Sequence, residues 1–374
     1  KKKVIVSVTT DLYSDQRVHK TCLSLVSMGY DVYVIGRRLR ANSFYNSLKI
    51  NEKSYSVRRF NLLFNKGFLF YITFNVRLFF FLLFNKFDIL FANDLDTLLP
   101  NFLISKIKKK PLVYDSHELF TEVPELIDRP VVKSCWLLVE KKIFPRLDYI
   151  ITVSNHIASY YFKKYNKDIK VLRNVPFKLT NYSSSDHLIF FKSVLNKSSG
   201  RNIIYQGSLN KDRGIELMIS SMEYVDATLF IVGDGDVRGK LEKLVKKTSL
   251  DKKVRFIGRV PFSDLKGITV NMDLGLSFEE NVCLAYKYSL PNKIFDYIHA
   301  SVPVLVSDLP EMRGLVSHYK IGRVLKSRSP KNVASQINDM LDKKDLFYNS
   351  LMKAKNELCW ENEEKKLVSL FKSF

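Results

Sequence analysis

Short apolar runs recur along the chain, each bounded by polar turns and followed by a stretch of helical spacing. In the first half they are KVIVSVT (3–9), DVYVIGR (31–37), FDILFAN (87–93), PLVYDS (111–116) and DYIITVS (148–154). A helix is expected from about Gln16 to Met28, where Gly29 stops it. Short runs alternating with helices predict βαβ units and a mostly parallel sheet, whose strands are covered on both faces. KVLRNVP (170–176) closes this half, and Pro176 marks a break.

Residues 177–200 hold two Ser clusters and little periodicity, and read as the entry to a second domain. Alternation restarts with NIIYQGS (202–208), ATLFIVGDG (227–235), KVRFIGRV (253–260), DLGLSF (273–278) and PVLVSD (303–308). This predicts a second doubly wound α/β unit. Open α/β sheets bind ligands beyond the carboxyl ends of their strands. Two such units are therefore expected to face one another across a cleft. The expected domains are 1–176 and 177–354, with a helix of about 355–374 crossing back to the first. A length of 374 residues fits two domains at ~150 residues each.

Charge sharpens the picture. The formal net charge is +22, and residues 1–176 hold 29 basic against 15 acidic side chains. Between Arg37 and Lys86 there are 10 basic residues and one acid, Glu52. Such a field attracts polyanions: nucleic acid, an anionic membrane or phosphorylated substrates. Cys22, Cys135, Cys283 and Cys359 are widely spaced in apolar stretches, which suits a reduced, cytoplasmic compartment. VIVSVTT is too short for a signal-peptide core and reads as a strand, so no signal peptide is expected.

Candidate chemistry clusters where runs end. In YQGSLNKDRGIELMI (205–219) a strand ends at Gly207–Ser208 and a helix starts near Gly214. Backbone N–H groups at that start favour a phosphate, and Arg213 at its mouth suits a diphosphate. The alternative is a helix start with no ligand. In LPNKIFDYIHASVPVLVSD (290–308) Lys293 lies in the first helical turn, where the helix dipole disfavours a cation. Asp296, three residues on, shares its side and suits the vicinal hydroxyls of a ribose. The plainer reading is a solvated Lys–Asp pair. Glu279 and Glu280 follow the run DLGLSF. In the first half, Asp115, His117 and Glu118 follow one run, and Asp15, Arg17 and His19 another. His117 suits a sugar hydroxyl or leaving group, and Arg17 a phosphate; equally, these residues cap and decorate helices, and Asp94 reads as an N-cap. The chain holds no G-x-G-x-x-G, P-loop, H-E-x-x-H or clustered Cys/His set, so no bound metal is inferred.

Taken in this order, the motifs resemble GT-B glycosyltransferases similar to glycosyltransferase family 4 (glycosyl transferases group 1). The resemblance rests on SDQRVHKTCLSLVSMGYDVYVIGR (14–37), YDSHELFTEVPEL (114–126), ITVSNHIASYY (151–161) and VLRNVP (171–176). In the second half it rests on YQGSLNKDRGIELMI, LFIVGDGDVRGKLEKLV (229–245), VRFIGRVPFSDL (254–265) and LPNKIFDYIHASVPVLVSD. It implies two Rossmann-like doubly wound domains, a nucleotide-sugar donor held by the second, an acceptor facing the first, retention of configuration and no required metal. By the same resemblance Arg213 and Lys293 meet the diphosphate, Asp296 the ribose, Gly258, Arg259 and Val260 the nucleobase, and His117 the donor sugar. Gly207–Ser208 stands where the family often has Gly-Arg. The family's E-x7-E pattern is replaced by Tyr288 and Asp296, with Glu279 and Glu280 further upstream; Glu280 is preferred for the donor sugar. Asp15, Arg17, Asp115 and Glu118 fall on the acceptor side. UDP is favoured on family frequency.

One segment stands outside these motifs. Residues 60–87 hold 10 of the 27 Phe. The stretch 68–84 is shorter than the ~20 residues a bilayer span needs, and it carries Asn75 and Arg77. It reads either as a core helix or as an interfacial helix on an anionic membrane, with KIKKK (106–110) adding charge. The resulting expectation is a cytoplasmic enzyme, peripheral on the inner membrane face, acting on a glycan or lipid-linked acceptor in surface polysaccharide assembly. The competing classes are a GT-B sugar-nucleotide 2-epimerase and a basic nucleic-acid-binding protein. The second rests on charge alone, so no nucleic-acid partner is expected.

Overall fold

The computed structural model describes residues 1–10, 12, 15–38, 54–178, 191, 195 and 200–374, so the expected linker 177–200 lies mostly outside the described residues. The chain forms two compact units, Lys1–Asn174 with Glu363–Phe374, and Val175–Asn362.

The first unit carries β1 (Lys3–Ser7), β2 (Asp31–Arg37), β3 (Ser56–Phe60), β4 (Ile89–Asn93), β5 (Leu112–Ser116), β6 (Tyr149–Thr152) and β7 (Lys170–Val171). They pair in the order β3-β2-β1-β4-β5-β6-β7, with parallel ladders. The second unit carries β8 (Arg201–Gln206), β9 (Ala227–Val232), β10 (Val254–Gly258), β11 (Leu274–Ser277), β12 (Val304–Val306) and β13 (Gly322–Val324). Their order is β10-β9-β8-β11-β12-β13, again parallel. Each sheet starts in its middle and reverses direction, between β1 and β4 and between β8 and β11. Those reversals are the switch points where a doubly wound sheet opens a crevice for ligand.

The apolar runs are strands because both faces are covered. In the second unit Ile203, Tyr205, Leu229 and Ile231 enter one buried cluster, while Ile204, Phe230 and Val232 enter the other. The period of two divides the runs between the two helical layers. Two edge strands escape the apolar pattern. β3 reads SVRRF, with charges along an exposed edge, and β13 is three residues long.

The chain returns to the first unit at Glu363, later than the expected 355. The reason is packing: Leu351, Ala354 and Leu358 are buried in the second unit's core. The Trp360 N–H donates to the Pro176 carbonyl at 2.8 Å.

The helix Gly67–Phe84 rests on the first sheet through Phe70, Phe74, Leu78 and Leu82. Phe74 meets Phe60 of β3, with ring centroids 5.7 Å apart. By length and composition this helix is apolar enough to cross a membrane. Its side-on packing against the sheet makes it an element of the domain instead.

One glycine controls the second switch point. A Cβ on Gly275 of β11 would lie 2.4 Å from Cδ2 of Tyr297, whose ring lies over that strand. Tyr297 is fully buried. Its hydroxyl accepts from the Gln206 N–H at 3.2 Å and reaches the carbonyls of Ile204 and Leu276, each at 3.3 Å. Gly275→Ala is therefore expected to lower stability by about 1–3 kcal/mol through overpacking; equilibrium urea unfolding of the full chain measures it.

Candidate active site

Each sheet ends at its carboxyl edge in a fully buried carboxylate, paired with a cation from the start of a helix. In the first unit the carboxylate is Asp115 of β5. Arg17, in the first turn of the helix Gln16–Ser27, grips it with Nε at 2.8 Å and Nη2 at 2.7 Å. Its Nη1 donates to the Leu172 carbonyl at 2.7 Å. The expectation that Arg17 faces a phosphate is thus corrected: all three guanidinium nitrogens donate within the unit, and Arg17 is 3% exposed. Asp15 is the N-cap of the same helix, accepting from the Val18 N–H at 3.1 Å and from Thr10 Oγ1 at 3.2 Å. It too is a structural group. Glu118 lies exposed just beyond β5.

His117 follows β5 and sits between two carboxylates. Its Nδ1 is 3.2 Å from Asp94 Oδ2 and its Nε2 is 3.3 Å from Asp115 Oδ2. Nε2 also lies 3.2 Å from Asn93 Oδ1, and the His117 N–H donates to Asp94 Oδ1 at 2.8 Å. Burial opposes the imidazolium, but Asp94 and Asp115 outweigh it and push the pKa up to about 9. Burial first, and neighbouring acids after it, push the carboxyls of Asp94 and Asp96 up to about 7. Asp115 moves the other way, to about 2, because Arg17 and His117 overcome its burial.

Asp94 has φ of 58°, in the left-handed region that costs a non-glycine residue of order 1 kcal/mol or more. That strained turn aims its carboxylate at His117 and away from the helix it precedes, so the simple N-cap reading fails. Asp96 accepts from Thr9 Oγ1 at 2.6 Å. Its Oδ1 is buried without a hydrogen-bond partner among the described residues.

The second unit builds a cationic counterpart beyond β8 and β11. Glu279 is fully buried. It accepts from Ser277 Oγ at 2.7 Å and from Lys293 Nζ at 2.8 Å, and Arg213 Nη1 stands 3.7 Å away. Burial would raise its carboxyl, but Lys293 and Arg213 prevail and lower it. Lys293 lies over the Tyr205 ring, 4.1 Å from the centroid, and Arg213 over Tyr286 at 4.6 Å. Two cations thus share one carboxylate. Glu280, the expected sugar contact, is half exposed and pairs with Arg328 at 3.3 Å. Its N–H donates to the Asp212 carbonyl at 3.0 Å.

Backbone geometry shapes the floor. Gly207 has φ of 135°, and a Cβ on Gly233 would lie 1.9 Å from its carbonyl oxygen. The loops after β8 and β9 therefore meet backbone to backbone. The Gly233 N–H donates to the Gly258 carbonyl at 2.8 Å, which places Arg259 and Val260 beside them. Ser208 accepts through its carbonyl from the Tyr205 hydroxyl at 2.8 Å. Asp296 accepts from Gln206 Nε2 at 2.9 Å, and Gln206 Oε1 accepts from Thr269 Oγ1 at 2.9 Å.

Arg213, Lys293 and the backbone of Gly207 and Ser208 come together as expected from their order in the chain. Asn93, Asp96 and Arg328 escaped the sequence reading. The run FAND-LD carried a signal for the first two, a polar cluster after a fully apolar strand. Arg328 lies in a loop with no distinguishing pattern. A cavity of about 310 Å³, lined by Lys106, Lys109, Lys110 and Arg146, sits at the opposite, amino-terminal ends of β5 and β6.

Comparison with known proteins agrees with this geometry. Residues 15–175 match the family described as Glycosyltransferase Family 4, and residues 188–357 match Glycosyl transferases group 1. An uncharacterized glycosyltransferase of Methanocaldococcus jannaschii is 24% identical over 201 residues, covering 51% of this chain and 50% of that protein. Chitobiosyldiphosphodolichol beta-mannosyltransferase of Debaryomyces hansenii is 23% identical over 253 residues, covering 60% and 53%. The chain thus spans about half the length of the curated relatives it matches. Anabaena HepE, solved with UDP-glucose, superposes with a TM-score of 0.74 at 15% identity, covering 100% of both chains. The two family matches lie end to end over the two parallel-sheet units, and the chain belongs to the GT-B glycosyltransferases of family 4 and group 1 type.

Proposed function

We propose that the chain transfers a sugar from a nucleoside-diphosphate sugar, with UDP as the nucleotide, to a glycan or lipid-linked acceptor. The observation that carries this reading is the shared pairing of Arg213 and Lys293 with the buried Glu279. Glu279 holds two cations side by side, and that paired positive charge is the feature suited to a diphosphate. Anabaena HepE supports UDP, because its structures hold UDP and UDP-glucose. Asp296, held by Gln206, takes the ribose hydroxyls. Gly258, Arg259 and Val260 border the base, and Glu280 remains the choice for the donor sugar. The mannosyltransferase relative, named for a dolichol-linked diphosphate acceptor, favours a lipid-linked acceptor here. The role that follows is surface polysaccharide assembly at the cytoplasmic face of a membrane.

In the reaction the bond from the anomeric carbon to the phosphate oxygen breaks, and the sugar passes through an oxocarbenium-like state. Negative charge builds on the diphosphate, where Arg213 and Lys293 stabilise it in a preorganised setting and no metal is required. The acceptor hydroxyl attacks from the face the leaving group departs from, its proton passing to the departing phosphate. Configuration is retained. His117, held as an imidazolium by Asp94 and Asp115, places positive charge beside the donor sugar. Product analysis tests the assignment: a transferred sugar supports it, and an epimerised nucleotide sugar replaces it with the epimerase reading.

Arg213→Ala should lower turnover by roughly 10²-fold or more and weaken the thermal shift given by UDP. Lys293→Ala should do the same and also destabilise the fold by up to about 3 kcal/mol, because buried Glu279 keeps only Arg213, 3.7 Å away, as a counter-charge. Equal turnover in Arg213→Ala would end the assignment.

The raised pKa of His117 has a definite sign. A folded-state value near 9 against the ordinary imidazole value of 6.5 means stability is fully present below pH 6.5 and is lost as pH rises towards 9. The melting temperature of the wild type should fall across that window, and His117→Asn should flatten the slope. An unchanged slope would show that His117 is not held as a cation.

A further inference from the structure

The helix Gly67–Phe84 buries one row of side chains and leaves another in water. The buried row is Phe70, Phe74, Leu78 and Leu82; the exposed row is Phe68, Ile72, Val76, Phe80 and Phe84. Both rows step by four residues and are offset by two, about 200° around the helix. The exposed row therefore stays opposite the packed one along the whole length. Phe84 is 78% exposed.

Neighbouring helices continue this apolar surface. Leu99, Leu103 and Ile107 form a second exposed row at the same spacing on the helix Leu95–Lys108. That helix is tied to the first by Asn75 Nδ2, which donates to the Asp96 carbonyl at 2.8 Å, and by Lys108 Nζ, which donates to the Leu82 carbonyl at 2.9 Å. The helix Pro130–Ile143 joins through Trp136, whose ring meets Tyr71 at 5.3 Å, and adds exposed Val131 and Leu138. A monomer rarely leaves so much contiguous apolar surface in water.

The charge on these three helices has one sign. Their two acids, Asp96 and Glu140, are buried at 6% and 1% exposure. Exposed Arg77, Lys106, Lys141 and Lys142 are all basic. The cavity at the carboxyl end of the second helix is lined by four cations, Lys106, Lys109, Lys110 and Arg146, and one acid, Asp148. A second copy of the chain would bring like charges together, because a two-fold interface meets itself. On the three helices themselves the apolar rows carry cations and no exposed acid, which fits the interface of an anionic bilayer; the exposed acids Glu125 and Asp128 precede the third helix.

We propose that these three helices dock the first unit on an anionic lipid bilayer, with the exposed Phe and aliphatic rows entering the headgroup–acyl boundary. The inference deepens the reading of a lipid-linked acceptor by naming the surface from which the enzyme would meet it.

Sedimentation of the full chain with vesicles of phosphatidylcholine alone, or mixed equally with phosphatidylglycerol, tests it. Binding to the anionic vesicles should exceed binding to the neutral ones by roughly tenfold or more. The exposed double variant Val76→Asp/Phe80→Asp should lose that binding, and Lys106→Glu/Lys109→Glu should weaken it by roughly tenfold. Circular dichroism and the UDP thermal shift should be unchanged in both. Equal or absent binding to the two vesicles, or retained binding by Val76→Asp/Phe80→Asp, would overturn the proposal. So would a dimer in size-exclusion chromatography that the same variant converts to a monomer without vesicle binding. A chain that shifts with UDP but ignores vesicles refutes only the docking. One that binds anionic vesicles but never shifts with UDP refutes only the donor assignment.

Discussion

A carboxylate taken wholly out of water must be met by a cation, and both units obey that constraint at the carboxyl edge of their sheets. Asp115 is met by Arg17, and Glu279 by Lys293 with Arg213 close behind. The two solutions differ in what remains afterwards. The Arg17 fork matches Asp115 two bonds to two, so the pair is closed and serves to hold His117 from one side. Glu279 faces more positive charge than it carries. The same device gives a closed pair in one unit and a carboxylate shared by two cations in the other.

Where the sequence was legible, the reason was coverage. Strands roofed by helices on both sides must be apolar throughout, so β1, β4, β5, β8 and β9 announce themselves as runs. β3 and β13 have one neighbour each and remained unread, because an edge strand tolerates Arg58 and Arg59 or a length of three residues. Period alone does not say which of two adjacent carboxylates is buried. Glu279 and Glu280 look alike in the chain, yet one is fully enclosed and the other half exposed. Arg17 misled for a related reason: a cation at a strand-to-helix junction looks the same whether its partner is a ligand or an aspartate 98 residues away. Asp94 was hidden by its backbone, since nothing in FAND announces a left-handed residue.

The net charge of +22 also acquires an address. In the second unit a small part of it surrounds Glu279. In the first unit much of it lines the helices that carry the exposed Phe, while the acids of those helices face inward. Charge and hydrophobicity therefore vary together on that surface. Such a correlation speaks for a partner that is both anionic and oily, and against nucleic acid, which is anionic alone.

Tyr297 has a consequence beyond its packing. The ladder between β8 and β11 runs for two residue pairs, Ile203 with Leu274 and Ile204 with Gly275, and then stops. Just past that point the phenol slips between the strands and satisfies the backbone groups their separation would otherwise strand. It acts as a wedge in a zip. The width of the crevice is then set by one aromatic ring and the glycine that admits it, while the ladder itself is free of that task.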